Sequence, residues 1–228
     1  MPVSDTIFDR VRADILSGTL APGDPLPGER QLAEELGVNR HGIREAVKRL
    51  QQAGLVRVSH GGATRVLDWR DHGGLDLLAD LPLAPGEEGA RVVRSVLEMR
   101  MSIGVDAARR AAERATTEHL ARLRILEAEN AAAPPGPDRE RAYRDLWSAV
   151  VEAADNVAYR LAFNGLVAGV DNHYDLMLGL LAEELADLAT TARLVDAIAG
   201  HDADAAVDAA ETLLGTTCAA ALKGAATP

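Results

Sequence analysis

Gly28-Glu-Arg-Gln-Leu-Ala-Glu-Glu-Leu-Gly-Val-Asn-Arg-His-Gly-Ile-Arg-Glu-Ala-Val-Lys-Arg-Leu50 is the stretch that decides the fold. It holds two helical patterns with a very short break between them. Leu32, Ala33 and Leu36 point inward from the first, which starts at about Gly28. Gly37 ends it, since glycine is free to take the positive φ of a helix C-cap. Asn39 is a good N-cap for a second helix running to about Ala53. Ile43, Val47 and Leu50 form its apolar stripe, while Arg40, Arg44 and Lys48 recur every fourth residue on a different face. Gly54 closes it. The result is helix, tight turn, helix, with a basic outer face on the second.

On the N-terminal side, Ile7, Val11, Ile15 and Leu16 repeat at helical spacing over residues 5–17. The breaker cluster Ala21-Pro22-Gly23-Asp24-Pro25 follows. On the C-terminal side, residues 55–59 and 63–66 partly alternate around His60-Gly61-Gly62, a hairpin signal. Three short helices and a hairpin make a winged helix-turn-helix over residues 1–68. Residues 69–74 lose periodicity and read as a linker. From Leu75 only helical patterns occur, over about 75–81, 88–114, 117–131, 139–154, 156–181, 182–199 and 203–222. The fold class is therefore mainly α: a winged helix-turn-helix followed by an all-α bundle over residues 75–228.

Composition agrees. Hydrophobic residues make up 47% and aromatics 3% of the 228 residues, an alanine-rich balance that favours helices over sheets. The one cysteine, Cys218, has no partner for an intramolecular disulfide. No basic segment followed by an apolar run marks a signal peptide, and the apolar stretch from Leu161 to Val170 is too short to span a bilayer. These features predict a soluble cytoplasmic protein with no membrane partner. The net charge of −11 argues against a nucleic-acid partner until its distribution is considered. Residues 1–70 carry ten Lys/Arg and nine Asp/Glu, a balance of +1, whereas residues 71–228 carry fourteen and twenty-six, a balance of −12. Within residues 36–67 six basic side chains (Arg40, Arg44, Lys48, Arg49, Arg57, Arg65) face one acid, Glu45. Phosphate contact is thus expected at one end of the chain.

The segment from Gly18 to Leu50, continuing through Gln51-Gln52-Ala53-Gly54-Leu55-Val56, resembles the DNA-binding domain of the GntR family. Leu97-Glu98-Met99-Arg100 and Asp155-Asn156 look like the helical effector domain of its FadR-like branch. The wing and linker, His60 to Val66 and on to Gly74-Leu75-Asp76-Leu77-Leu78, are especially similar to that branch. The resemblance implies a transcription regulator, a homodimer reading an inverted repeat in double-stranded DNA, and a small-molecule effector such as an acyl-CoA or organic acid. It assigns DNA contact to Arg30, Arg40 and Arg44 and a minor-groove wing tip to His60 and Gly61, in the turn that Gly62 completes. A recognition helix lays its N-terminal residues against base edges, which independently selects Asn39, Arg40, His41 and Arg44. Lys48 and Arg49 stay open between phosphate contact and solvent. The sequence departs from its relatives at Asn39, His41 and Gly42, so its base preference can differ.

Many relatives hold a divalent metal with one aspartate and three histidines. The corresponding positions here are Arg144, Ser148, Thr191 and Leu213, none a fitting ligand, so no metal and no cofactor is expected. His119, His173 and His201 show no ligand spacing. Candidate effector-binding residues are Arg100, Asn156, His173 and Tyr174. For Arg100 a structural ion pair is the equal alternative, and for Asn156 a helix cap. An enzyme is disfavoured: there is no Gly-rich phosphate loop, no Gly-x-Ser-x-Gly elbow and no Cys/His pair in a recognisable context. A DNA-binding protein without an effector is the remaining alternative.

Overall fold

The computed structural model describes residues 3–59, 63–81 and 87–224; the predicted wing tip His60-Gly61-Gly62 lies outside them. The chain divides into two compact units, Met1–Pro82 and Leu83–Pro228.

The first unit contains α1 (Val3–Leu16), α2 (Glu29–Leu36), α3 (Arg40–Gln52), β1 (Val56–Arg57), β2 (Arg65–Val66) and α4 (Trp69–His72). Its core forms largely where the sequence periodicity puts it, except that in α3 Ala46 is buried and Val47 only half-buried. Ile7, Val11, Ile15 and Leu16 of α1 are buried against Ile43, Ala46 and Leu50 of α3, with Leu32 and Ala33 of α2 beside them. Gly37 takes φ +64 as the C-cap of α2. β1 and β2 pair antiparallel, Val56 opposite Val66 and Arg57 opposite Arg65. The turn before α2 adds a further rung: Gly23 N–H donates to Val66 O, Val66 N–H to Asp24 O, and Leu26 N–H to Thr64 O.

The expected boundary needs correction. Residues 69–74 are not a bare linker, because Trp69–His72 is a helical turn capped by Asp68, whose carboxylate accepts from Arg70 N–H at 3.0 Å. The expected first bundle helix, 75–81, is instead a 3-10 turn (Leu75–Asp80) that belongs to the winged unit. Leu77 and Leu81 are buried there, and Asp80 pairs with Arg12 of α1 at 2.9 Å. The first unit therefore runs to Pro82, past the expected end at residue 68.

The second unit comprises α5 (Glu87–Arg114), α6 (Thr117–Ala132), α7 (Pro137–Ala153), α8 (Val157–Asn172), α9 (Tyr174–Leu180), α10 (Ala182–Ala186), α11 (Leu188–Ala199) and α12 (Ala203–Gly224). Two expected helices are broken. The 156–181 segment divides at His173, and 182–199 divides at Asp187, whose carboxylate caps α11 by accepting from Thr190 N–H at 2.9 Å. Long α5 and α12 pack closely because Ala108, Ala111 and Ala112 meet Ala206, Ala209, Ala210, Leu213 and Leu214. At Gly104 an added Cβ would lie 2.5 Å from Leu214 Cδ1. Leu146, Val150, Leu194 and Ile198, all without exposure, complete this core from α7 and α11.

Gly54 holds φ +72, and a Cβ there would lie 2.2 Å from His72 O, so α3 and α4 meet through a glycine. Gly54→Ala is expected to lower stability by more than about 1 kcal/mol, since the left-handed conformation alone costs an alanine roughly that much. A lower midpoint for the winged unit in thermal unfolding checks this.

Candidate nucleic-acid interface and effector domain

α3 carries the first candidate site. Its inner face is fixed by Ile43, Ala46 and Leu50, none of which has any exposure. That leaves Arg40, His41, Arg44 and Lys48 on the solvent side. Asn39 starts the helix, its Oδ1 accepting from Gly42 N–H at 2.8 Å. That bond leaves the Asn39 amide N–H donors directed elsewhere, beside Arg40 and His41. Arg44 pairs with Glu29 at 3.3 Å and Arg30 with Glu34 at 3.8 Å. Both arginines are largely exposed, and such surface pairs contribute about 0–1 kcal/mol, which a phosphate or a base edge can displace. Gly28, the N-cap of α2, brings no side-chain cap to the helix that carries Arg30.

Arg49 is placed differently from its neighbours. Its guanidinium donates to Asp5 Oδ1 at 2.6 Å and lies 4.1 Å from the centre of the Phe8 ring. It joins α3 to α1 through a side chain that stays partly exposed.

The second unit contains a buried polar centre. Glu184 of α10 has no exposure and accepts from four donors on three helices. Arg100 of α5 donates through both terminal nitrogens, at 3.0 and 2.5 Å, Tyr143 of α7 donates its hydroxyl at 2.6 Å, and Thr217 of α12 donates its hydroxyl. Burial works to lower the Arg100 pKa, but the Glu184 carboxylate overrides it and raises it. Burial, together with the adjacent Glu184 charge, pushes the Tyr143 hydroxyl well above its ordinary range. Arg100 thus has a resident counter-charge, and the geometry matches the ion-pair alternative. Asn156 likewise serves as the cap of α8, accepting from Ala158 and Tyr159 N–H at 3.0 and 3.3 Å. His173 and Tyr174 sit at the break between α8 and α9, and the Nε2 of His173 is buried without a hydrogen-bond partner among the described residues.

The four residues that the resemblance aligned with metal ligands have other uses. Arg144 donates to Glu140 at 2.6 Å and to Asp171 at 2.7 Å. Ser148 accepts from Arg160 through its hydroxyl at 2.9 Å and through its carbonyl at 2.5 Å. The Thr191 hydroxyl donates to Asp187 O at 2.9 Å, and Leu213 is core. A guanidinium cannot ligate a cation, and Arg144 supplies a positive charge of its own, so these residues do not fit a metal. Among the described residues no cluster of three or more His, Cys, Asp or Glu is arranged to hold one. His119 caps α6 with Thr116, and His201 Nδ1 lies 2.8 Å from Ala112 O.

Comparison with known proteins fits both units. Residues 3–66 match the family described as "Bacterial regulatory proteins, gntR family", and residues 95–216 match the "FCD domain". The chain belongs to the GntR family. It is 38% identical over 215 residues to the HTH-type transcriptional regulator Mce2R of Mycobacterium tuberculosis, covering 93% of this chain and 88% of that one. It is 31% identical over 156 residues to the fatty acid metabolism regulator protein of Edwardsiella ictaluri, 67% of this chain and 62% of the relative. The Listeria monocytogenes regulator Lar shares the fold, with a TM-score of 0.60 at 16% identity over 96% of each chain. This GntR-family member is a DNA-binding transcription regulator of the FadR-like branch, with an FCD effector-binding domain. No described helix is long and apolar enough to cross a membrane.

Sequence reasoning missed Glu184 as the partner of Arg100, and Tyr143 and Thr217 as the further donors to that carboxylate. The only signal was an acid within the apolar pattern around Leu181 and Leu185. Glu184→Ala is expected to cost about 3–5 kcal/mol, because it strands a buried guanidinium. Tyr143→Phe is expected to cost about 1.5–3 kcal/mol, the range for a hydrogen bond to a charged group. Urea unfolding of the two variants checks the order.

Proposed function

We propose that this regulator is a cytoplasmic homodimer that reads a short inverted repeat and answers to a small-molecule effector, an acyl-CoA or an organic acid. It acts by binding and catalyses nothing. The observation that carries the DNA reading is the division of α3 into two faces. Ile43, Ala46 and Leu50 lock one face in the core, which commits Arg40, His41, Arg44 and Lys48 to the other. Arg40 and Arg44 present guanidinium forks for guanine edges, Asn39 and His41 stand beside them, and Arg30 and Lys48 take phosphates. The assignment of His60, Gly61 and Gly62 to the minor groove rests on the family resemblance alone, since they lie outside the described residues. Arg49 drops out, because Asp5 and Phe8 hold it.

A two-fold partner supplies the second half-site. The surface for it is α8, where Val157 and Leu161 are 77% and 63% exposed and Leu176 of α9 is 45% exposed. Along α8 the charged residues are Arg160, bound to Ser148, and Asp171, bound to Arg144. A second copy of an acidic unit is repelled elsewhere but can cover this sparsely charged helix. The effector reading shifts from Arg100 and Asn156 to the neighbourhood of His173 and Tyr174. Buried Nε2 of His173 and Nε of Arg144 have no hydrogen-bond partner among the described residues, and such atoms call for a polar ligand.

Arg40→Ala and Arg44→Ala are each expected to weaken binding to a duplex selected from a random library by about 1–3 kcal/mol, with the fold intact. Unchanged gel shifts for both would overturn the recognition-helix assignment. Leu161→Glu is expected to give a folded monomer in analytical ultracentrifugation, and a dimer that persists would move the interface off α8. A thermal-shift screen of acyl-CoAs and small organic acids tests the effector. Stabilisation by neither class removes it.

A further inference from the structure

We propose that Arg57 and Arg65, on the strands of the wing, form a two-guanidinium clamp on the DNA phosphate backbone. This rests on the DNA reading of the first unit and adds two residues that neither the recognition helix nor the wing tip includes. The register places them directly opposite one another, with Val56 opposite Val66 in the adjacent pair. Val56 and Val66 are 1% and 2% exposed, so the hairpin cannot slip by one residue without turning its apolar pair to water. Both arginines are therefore held on the solvent face, and both are exposed.

Like charges directly opposite on a two-stranded ribbon destabilise it. Here nothing in the protein neutralises them: neither arginine has a carboxylate partner among the described residues. The nearby Asp24 carboxylate is taken by Ala21 N–H at 2.9 Å, and that of Asp68 caps α4. Arg65 is also aimed. Its guanidinium donates to Gly23 O at 2.8 Å, while Pro25 bridges to the Arg65 backbone, so the turn before α2 braces the side chain. A cation pair that is fixed by register, braced, and left without a counter-ion suits an external anion. The remaining basic side chains of this segment lie on α3, whose exposed face is built for duplex DNA. A guanidinium fork matches phosphate oxygens in bidentate fashion, so the contact grips without reading bases.

The test measures binding to a mixed-sequence duplex against sodium chloride concentration. Removing one phosphate-neutralising side chain lowers the slope of log K against log salt by about 0.9, so R57Q/R65Q is expected to lower it by ~2. R57K/R65K keeps the charges and is expected to hold a slope near wild type. Preference for a selected operator over the mixed duplex is expected to survive in R57Q/R65Q, in contrast to R40A/R44A. Because the glutamines relieve repulsion, that variant is expected to melt at or above wild type in low salt. A variant that melts below it shows that the arginines hold the hairpin together, and overturns the clamp. A wild-type slope in R57Q/R65Q while R40A/R44A lose binding overturns the clamp and leaves the DNA reading standing. Wild-type protein with no salt-dependent binding overturns both.

Discussion

Glu184 is a carboxylate with no exposure to water, and its two oxygens are shared among Arg100, Tyr143 and Thr217. These four residues come from α10, α5, α7 and α12, so one charge joins helices that are far apart in sequence. The surrounding core is rich in alanine, which lets helices approach closely but gives few distinctive shapes to set their register. A buried ion pair contributes little net stability over an apolar replacement of the same volume. Its effect lies in what it forbids. Any slide of α5 against α10 leaves a charge unpaired in the interior, at a cost of several kcal/mol.

The same unit satisfies other buried or half-buried cations with carbonyl oxygens. Arg139 donates to Ala133 O at the C-terminus of α6 and to Leu185 O near the end of α10, and Arg114 donates to Ala154 O at the end of α7. Helix C-termini carry partial negative charge and free carbonyls, so these contacts close helix ends while holding the cation. Arg144 is held by carboxylates instead, lying between Glu140 and Asp171. Positive charge is thus built into the polypeptide at that point.

The winged unit is organised by burial instead. The apolar stripe of α3 fixes its rotation about its own axis, and with it the direction in which Arg40 and Arg44 point. Arg49 shows how fine this control is. One residue beyond Lys48, a step of about 100° around the helix turns the side chain toward α1, where Asp5 and Phe8 take it. Basic residues in this one segment thus divide between holding the unit together and facing outward, with charge concentrated at one end of an acidic chain.

The sequence by itself determined the winged helix-turn-helix, the all-α second unit, Ile43 and Leu50 as the inner face of α3, and the caps at Asn39 and Asn156. Each is a local property: helical period, a capping side chain, or a glycine where φ turns positive. Only the tertiary structure decided that Arg100 belongs to Glu184, Arg49 to Asp5, and the turn at 75–80 to the first unit. Those pairings join residues 84, 44 and 68 positions apart, as in Arg12 with Asp80. No periodicity in a single chain encodes which distant charge a side chain will meet; that choice is made by the packing of the helices that carry them.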